Sequence, residues 1–145
     1  MNVPRCGIAT GAFHSAEDSS TRFRAVDLSS GEMIFTASIG SRSADIGKFL
    51  GIAASVRYLL EHPEIPPVIY SDSLTAIAWF HDRTAVSMRP CPALHKAEVF
   101  LHAFAARISP IEVRHWDSRK WGKIPAEPND DKPNSMNKRL LLWQD

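Results

Sequence analysis

The chain has 145 residues, of which 44% are hydrophobic and 23% charged, and its formal net charge is +1. These values are typical of one globular domain with room for a sheet covered by helices, and the charge alone neither favours nor excludes nucleic acid. No apolar run approaches the length of a membrane span, and no signal-peptide pattern opens the sequence, so we expect no membrane partner. Cys6 and Cys91 form neither a metal-binding spacing nor a disulfide framework, which favours a cytoplasmic location.

The first part of the sequence predicts three strands. Residues 6–13 are small and apolar enough for a central strand, and residues 14–22 are polar and loop-like. Residues 23–28 alternate between apolar and polar side chains, the Ser-Ser-Gly-Glu sequence at 29–32 provides a turn, and residues 33–39 form the returning strand. The pattern from residue 23 to residue 39 is typical of a β-hairpin.

A helix is predicted to follow from residue 44 to residue 62. Ser43 or Asp45 can cap its N-terminus, and Pro63 ends it. Its apolar side chains recur at helical spacing, at Ile46, Leu50, Ala53, Ala54, Leu59 and Leu60.

The next stretch changes from a strand to a helix at Asp72. Residues 68–71 form an apolar run behind two prolines, and an apolar stripe of helical spacing begins at Leu74. Asp72 therefore lies at the carboxyl end of a predicted strand, where the ligands and catalytic groups of open α/β sheets gather. Ser73 is placed to cap the following helix. Asp72 is either a functional carboxylate or a second capping group.

The remaining sequence predicts a loop at 82–92, a helix at 93–108 and a last strand at 111–116. From residue 117 onward the chain is rich in proline, asparagine and charge, which indicates an extended segment, and it ends in an apolar stretch at 138–143. Three leading antiparallel strands followed by alternating helices and strands imply a mixed sheet with helices on its faces.

This element order, together with three short motifs, resembles ribonuclease HI. The motifs are Tyr-Ser-Asp-Ser at 70–73, Ile-Gly-Lys-Phe-Leu at 46–50 and Trp-Gly-Lys-Ile-Pro-Ala-Glu at 121–127. They are most similar to a bacterial branch of that family. The resemblance implies a ribonuclease H-like α/β fold, with a mixed five-stranded sheet and helices on both faces. It covers residues 1–127, which we interpret as one domain, and leaves 128–145 as a tail that either packs on the domain or docks on another chain.

The resemblance also implies a chemistry. The family cuts the RNA strand of an RNA/DNA hybrid with two Mg²⁺ ions held by four acidic residues, because only converging carboxylates can hold two dications at one phosphodiester. The four positions fall near Thr10 and at Lys48, Asp72 and Glu127 of this sequence. Asp72 and Glu127 keep a carboxylate, whereas the position of Lys48 has reversed its charge.

A lysine at this position is expected to oppose metal binding. A unit charge pair 4 Å apart is worth about 4 kcal/mol at an effective dielectric of about 20, before desolvation. We therefore hypothesise that Lys48 pairs with Asp72, and with Glu127 as a further option, in place of the metals. No cofactor is expected on this interpretation; an active enzyme would bind Mg²⁺ or Mn²⁺ through Asp72 and Glu127.

Other groups could compensate for the missing acids. Glu17 and Asp18 could substitute for the first one, although a solvated loop is the simpler interpretation. Asp45 lies nearly one helical turn before Lys48, where it also suits the positive end of a helix. His115 stands on the last strand, where a packed or surface role is more common than that of a general base.

Basic residues are more frequent toward the C-terminus, and they could contact phosphate and sugar. They are interleaved with Trp116 and Trp121, and comprise Arg114, Arg119, Lys120, Lys123 and Lys132. The hydroxyl of Ser73 could also donate to a phosphate. The alternatives are a solvated face balanced by nearby acids for the cations, and helix capping for Ser73.

Three functions remain open from the sequence. The first is a degenerate ribonuclease H-like domain that binds an RNA/DNA hybrid or double-stranded nucleic acid without two-metal cleavage. The second is a scaffold for a protein partner. The third is a working metal-dependent endoribonuclease with a rearranged site built on Asp72, Glu127 and a nearby acid. The altered site favours the first two.

Overall fold

The computed structural model describes residues 3–16 and 19–126. Within these ranges, five strands form one sheet in the order β3-β2-β1-β4-β5. They are β1 (Ile8–Ser15), β2 (Ser20–Asp27), β3 (Met33–Ile39), β4 (Val68–Ser71) and β5 (Glu112–His115). β1, β2 and β3 pair antiparallel, whereas β4 lies parallel to both β1 and β5. The mixed sheet predicted from the element order is thus confirmed.

In the described part of the chain, five helices connect and follow these strands. They are α1 (Ala44–Glu61), α2 (Leu74–Asp82), α3 (Pro92–Ala103), α4 (Ala105–Ile108) and α5 (Ser118–Trp121). Ser43 caps the N-terminus of α1, because its side chain accepts a hydrogen bond from the Ile46 amide. The sequence allowed either Ser43 or Asp45 as this cap, and the structure identifies Ser43.

Three predicted boundaries were wrong. The predicted loop at 14–22 is largely strand, because pairing between β1 and β2 continues to Ser15 and Ser20 near the end of the ladder. The predicted helix at 93–108 is broken at Phe104, whose ψ of 22° departs from helical values. The segment after residue 116 contains α5, since the Asp117 carboxylate caps this turn by accepting a hydrogen bond from the Arg119 amide.

Apolar side chains are buried on both faces of the sheet. The larger cluster joins the sheet to α1, α2, α3 and α4. A smaller one lies on the opposite face and joins Ala9 and Tyr70 to the segment that contains α5. α1 to α4 therefore cover one face of the sheet, and the segment that contains the single-turn α5 packs on the other.

Two glycines bring α1 close to the sheet. A Cβ atom at Gly47 would lie only 2.9 Å from the Cβ of Ala12, and a Cβ at Gly51 would collide with the hydroxyl of Thr10. The absence of side chains at these two positions allows the helix to approach β1 and β2. Lys48 is carried on the same part of this helix.

Some predictions lie outside the described residues. They concern Glu17, Asp18, Glu127, Lys132 and the tail at 128–145, so the domain boundary at residue 127 stays a prediction. Within the described ranges, the helices are too short or too polar to cross a membrane. The cytoplasmic location also stays a prediction.

Candidate functional site

Asp72 and Ser73 lie at the junction of β4 and α2. The Ser73 side chain caps α2 by accepting a hydrogen bond of 3.0 Å from the Ala76 amide. The Ser73 amide in turn donates to the Ser71 hydroxyl at 3.2 Å. These two bonds fix the turn, and Asp72 is held between them at the carboxyl end of the strand, as the sequence predicts.

Lys48 reaches Asp72 from α1. Its Nζ atom lies 3.2 Å from Oδ1 of Asp72, and each of the two side chains is 22% exposed. This Oδ1 atom is buried, and no donor in the described part of the chain approaches it with hydrogen-bond geometry. The contact is therefore an attraction between charges rather than a directed hydrogen bond. The pairing of Lys48 with Asp72 expected from the sequence is confirmed.

A second carboxylate joins this group through Ser73. The Ser73 hydroxyl donates to Oδ1 of Asp45 at 3.1 Å, so the same hydroxyl caps α2 and links α2 to the first turn of α1. Asp45 also lies in the first turn of α1, where a negative charge is favourable. The sequence analysis placed Asp45 nearly one helical turn before Lys48 and favoured its helix-terminal role. The bond to Ser73 was not predicted.

The position near Thr10, where the resemblance places the first acid, lies beside the end of β4. β1 and β4 pair in parallel with Ala9 opposite Tyr70. Thr10, the residue after Ala9, is fully buried, and its hydroxyl donates to a backbone carbonyl of β2 at 2.9 Å. Thr10 therefore presents no carboxylate at the junction of β4 and α2.

The described residues do not fit the two-ion centre that the resemblance implies. Across residues 3–16 and 19–126, no group of three or more His, Cys, Asp or Glu side chains is placed to hold a metal ion. The one acid retained at a family position in this part of the chain, Asp72, contacts an ammonium instead. Such a contact and a bound dication would compete for the same oxygen atom.

The two tryptophans of the C-terminal region pack against each other. The Trp116 side chain is buried, its indole nitrogen donates to the Gly122 carbonyl at 2.8 Å, and its ring meets that of Trp121 edge to face. Tyr70 makes edge contacts with both rings. A surface on which both tryptophans lie exposed between the cations is therefore excluded for Trp116, because its ring is buried in the smaller core.

The basic side chains of this region differ in their surroundings. Arg114 forms an ion pair with Glu112 on β5, and the hydrogen bond to that carboxylate, followed by one to a tyrosine, raises the pKa of the guanidinium. Arg119, Lys120 and Lys123 are exposed on α5 and just after it. His115 is exposed as well. Arg119, Lys120 and Lys123 are thus exposed as a nucleic-acid surface would require, and their role in binding stays a prediction.

One residue that holds this region in place was missed by the sequence interpretation. Arg24 of β2 donates from Nε to the carbonyl of Ala126 at 2.9 Å. This bond anchors the end of the described chain to the face of the sheet opposite α1. The two residues lie far apart in the sequence, and no local pattern signals their contact.

Comparisons with known proteins found similarity in structure alone. No family model and no curated protein matches the chain. The LC11-RNase H1 isolated from compost by a metagenomic approach shares 13% identity over 81% of this chain and 88% of its own, with a TM-score of 0.55. The structure of LC11-RNase H1 in complex with an RNA/DNA hybrid covers the same shares, with 11% identity and a TM-score of 0.51.

A viral enzyme contains a similar domain. The prototype foamy virus protease–reverse transcriptase matches 77% of this chain with 14% identity and a TM-score of 0.51, and the match spans 17% of the viral chain. At such low identity these likenesses establish the fold. The chain has a ribonuclease H-like α/β fold.

Proposed function

We propose that this chain is a ribonuclease H-like domain that has lost two-metal cleavage of RNA/DNA hybrids and acts by binding nucleic acid or a protein partner. The observation that carries the proposal is the 3.2 Å contact between Nζ of Lys48 and Oδ1 of Asp72. The ammonium supplies the positive charge that a metal ion would otherwise bring to this carboxylate. It cannot coordinate a phosphate oxygen as a Lewis acid or lower the pKa of a bound water as a dication does.

Cleavage of an end-labelled RNA/DNA hybrid in Mg²⁺ and in Mn²⁺ tests the loss of activity. We expect no product from folded protein at high concentration in either metal. Asp72→Asn is run in parallel, because it removes the carboxylate charge with little change in size. Cleavage by the wild-type protein that disappears in Asp72→Asn would show an enzyme and overturn the proposal.

One observation favours an active enzyme as the second candidate. Asp45 accepts a hydrogen bond from Ser73, the residue that follows Asp72, so α1 brings a second carboxylate to the junction of β4 and α2. With Glu127, which lies outside the described residues, they could form a rearranged metal site if Lys48 moved away. A rise in the melting temperature with added Mn²⁺, absent in Asp72→Asn, would support this candidate, since a ligand that binds only the folded state stabilises it.

Binding of a hybrid or duplex separates a nucleic-acid ligand from a protein one. Arg119, Lys120 and Lys123 are the exposed cations that would neutralise phosphates. If they do, replacing all three with Gln should make the negative slope of log K against log salt shallower by about 2.7, because each phosphate contact contributes roughly 0.9 to its magnitude. Lys96→Gln is the matched control, since this exposed lysine lies on α3 at the other face of the sheet. An unchanged slope in the triple variant would exclude phosphate contacts by these three cations and favour a protein as the ligand.

A further inference from the structure

A hollow opens where the end of α2 meets α3, α4 and the residue before β5. Its volume is about 290 Å³, and it is lined by Phe80, His81, Arg83, Leu101, Ile108, Ser109 and Ile111. An apolar cavity of about 150 Å³ is enough to hold benzene, so this hollow has room for one ring-sized group and a polar head group. It lies about 14 Å along α2 from the end that carries Asp72, because this helix has nine residues.

Four of the lining side chains are apolar and belong together. Phe80, Leu101 and Ile108 are at most 7% exposed and lie in the larger core cluster, and Ile111 packs against the same cluster. Because the core holds these side chains in place, the apolar part of the hollow is formed before any ligand arrives.

The polar lining residues offer donors and no carboxylate. They are His81, Arg83 and Ser109, and all three are exposed. Within the described part of the chain, the Arg83 guanidinium forms neither a hydrogen bond nor an ion pair. Asp82 precedes Arg83 but does not line the hollow. The charge at the hollow therefore favours an anionic ligand.

The end of α2 does not cancel this positive charge. A helix C-terminus is negative because its last carbonyls lack partners. Here the Arg83 amide donates to the carbonyl of Phe80 and the Thr84 amide donates to that of Trp79, each at 3.1 Å. These two carbonyls are thus occupied by backbone amides.

Arg83 adopts a backbone conformation that does not suit arginine. Its φ of 56° and ψ of 28° are left-handed, at the position after a helix where glycine is the usual residue. A side chain in this conformation strains the backbone, and residues held in this way cluster at ligand-binding sites. Local backbone preference therefore does not explain the arginine, whereas a use for its guanidinium does.

We propose that this hollow binds a small amphipathic anion. A ring-sized apolar group of the ligand contacts Phe80, Leu101 and Ile108, and its carboxylate or phosphate faces the Arg83 guanidinium. Arginine pairs with either head group through two N–H donors, and the Ser109 hydroxyl supplies a third. The inference does not rest on the loss of cleavage, because this site lies at the other end of α2 from Asp72.

Methyl NMR titrations of the full-length protein test the proposal with four probes that share one ring. Benzoate and phenyl phosphate are anions, benzamide is the neutral counterpart of benzoate, and benzylamine is a cation. We expect one of the two anions to bind with a Kd of about 1 mM, typical of so small a ligand, and to shift the methyl signals of Leu101, Ile108 and Ile111. Benzamide and benzylamine should bind roughly tenfold more weakly, since they lack the charge-assisted hydrogen bonds. The tighter anion identifies the head group.

Arg83→Gly separates binding from folding. Glycine adopts the left-handed conformation without strain, so this variant should keep or raise the melting temperature of the wild-type protein. Its affinity for the anion should fall roughly tenfold, to that of the neutral probe. Arg83→Gln, which removes the charge but keeps a long side chain, should lose the same preference.

Lys96→Gln is the matched control, because this exposed cation lies on α3 and does not line the hollow. It should leave the affinity for each probe unchanged. Four results would overturn the inference: no binding of either anion, equal affinity for benzoate and benzamide, unchanged anion affinity in both Arg83 variants, or shifts confined to methyl groups outside the hollow. Cleavage of a hybrid by the wild-type protein would refute the proposed function and leave this site untouched.

Discussion

Two ion pairs of similar chemistry lie in very different surroundings in this molecule. Lys48 and Asp72 come from α1 and the end of β4 and are each 22% exposed, whereas Arg114 and Glu112 are two residues apart on β5 and are 53% and 58% exposed. Water screens the pair on β5 at little cost to either group. The pair of Lys48 and Asp72 joins two elements, and the carboxylate oxygen that contacts the ammonium is buried. Removing one partner therefore leaves a poorly solvated charge.

The largest expected effect follows from removing the ammonium of the partly buried pair. Lys48→Met keeps the length of the side chain but leaves Oδ1 of Asp72 without a cation. We expect the free energy of unfolding to fall by about 1–3 kcal/mol, between the values typical of exposed and of fully buried pairs. Urea unfolding followed by circular dichroism measures the change.

Lys120→Met is the control for this variant, because Lys120 is exposed on α5 and should tolerate the same replacement. Adding Asp72→Asn to Lys48→Met should recover part of the loss, since it removes the carboxylate charge that was left unpaired. Equal or greater stability of Lys48→Met would mean that desolvation outweighs the attraction between the two charges.

The exposed pair should respond much less to the same kind of change. Glu112→Gln removes the charge opposite Arg114, and we expect no resolvable shift in the melting temperature, because both groups remain hydrated. Differential scanning calorimetry at low and high salt measures it. A clear loss of stability at low salt would show that the pair on β5 links the edge strand to its neighbour through Tyr70.

The smallest expected effect on stability comes from the ionisation of Tyr58, whose phenol is neutral at physiological pH. Burial, and then the negative charges of Asp27 and Glu64, raises the pKa of Tyr58 above its ordinary value near 10. The stability that results is complete below the pKa of the unfolded chain and is lost as the pH rises from about 10 through the folded value.

The ultraviolet absorbance titration of wild type minus Tyr58→Phe should therefore show a phenol that ionises later than a free tyrosine. Glu64→Gln should move that ionisation part of the way back, because it removes one of the raising charges. An ordinary midpoint in the difference titration would exclude the effect of burial on this side chain.

Local patterns allowed much of this fold to be predicted. The hairpin of β2 and β3, the start of α1 and the change from strand to helix at Asp72 each depend on neighbouring residues. Apolar periodicity, turn residues and capping side chains act within a few positions. The boundaries that failed, at residues 14–22 and after residue 116, depend instead on pairing between strands and on a single capping carboxylate.

The sequence by itself determined the order of the elements and the place of Asp72 at a strand end. Charge reversal at residue 48 also followed from the resemblance of motifs. Tertiary structure alone decided that the Ser73 hydroxyl bonds to Asp45 and that Arg24 anchors Ala126. These contacts join residues that are distant in the chain, and their geometry depends on how closely α1 and the strands pack.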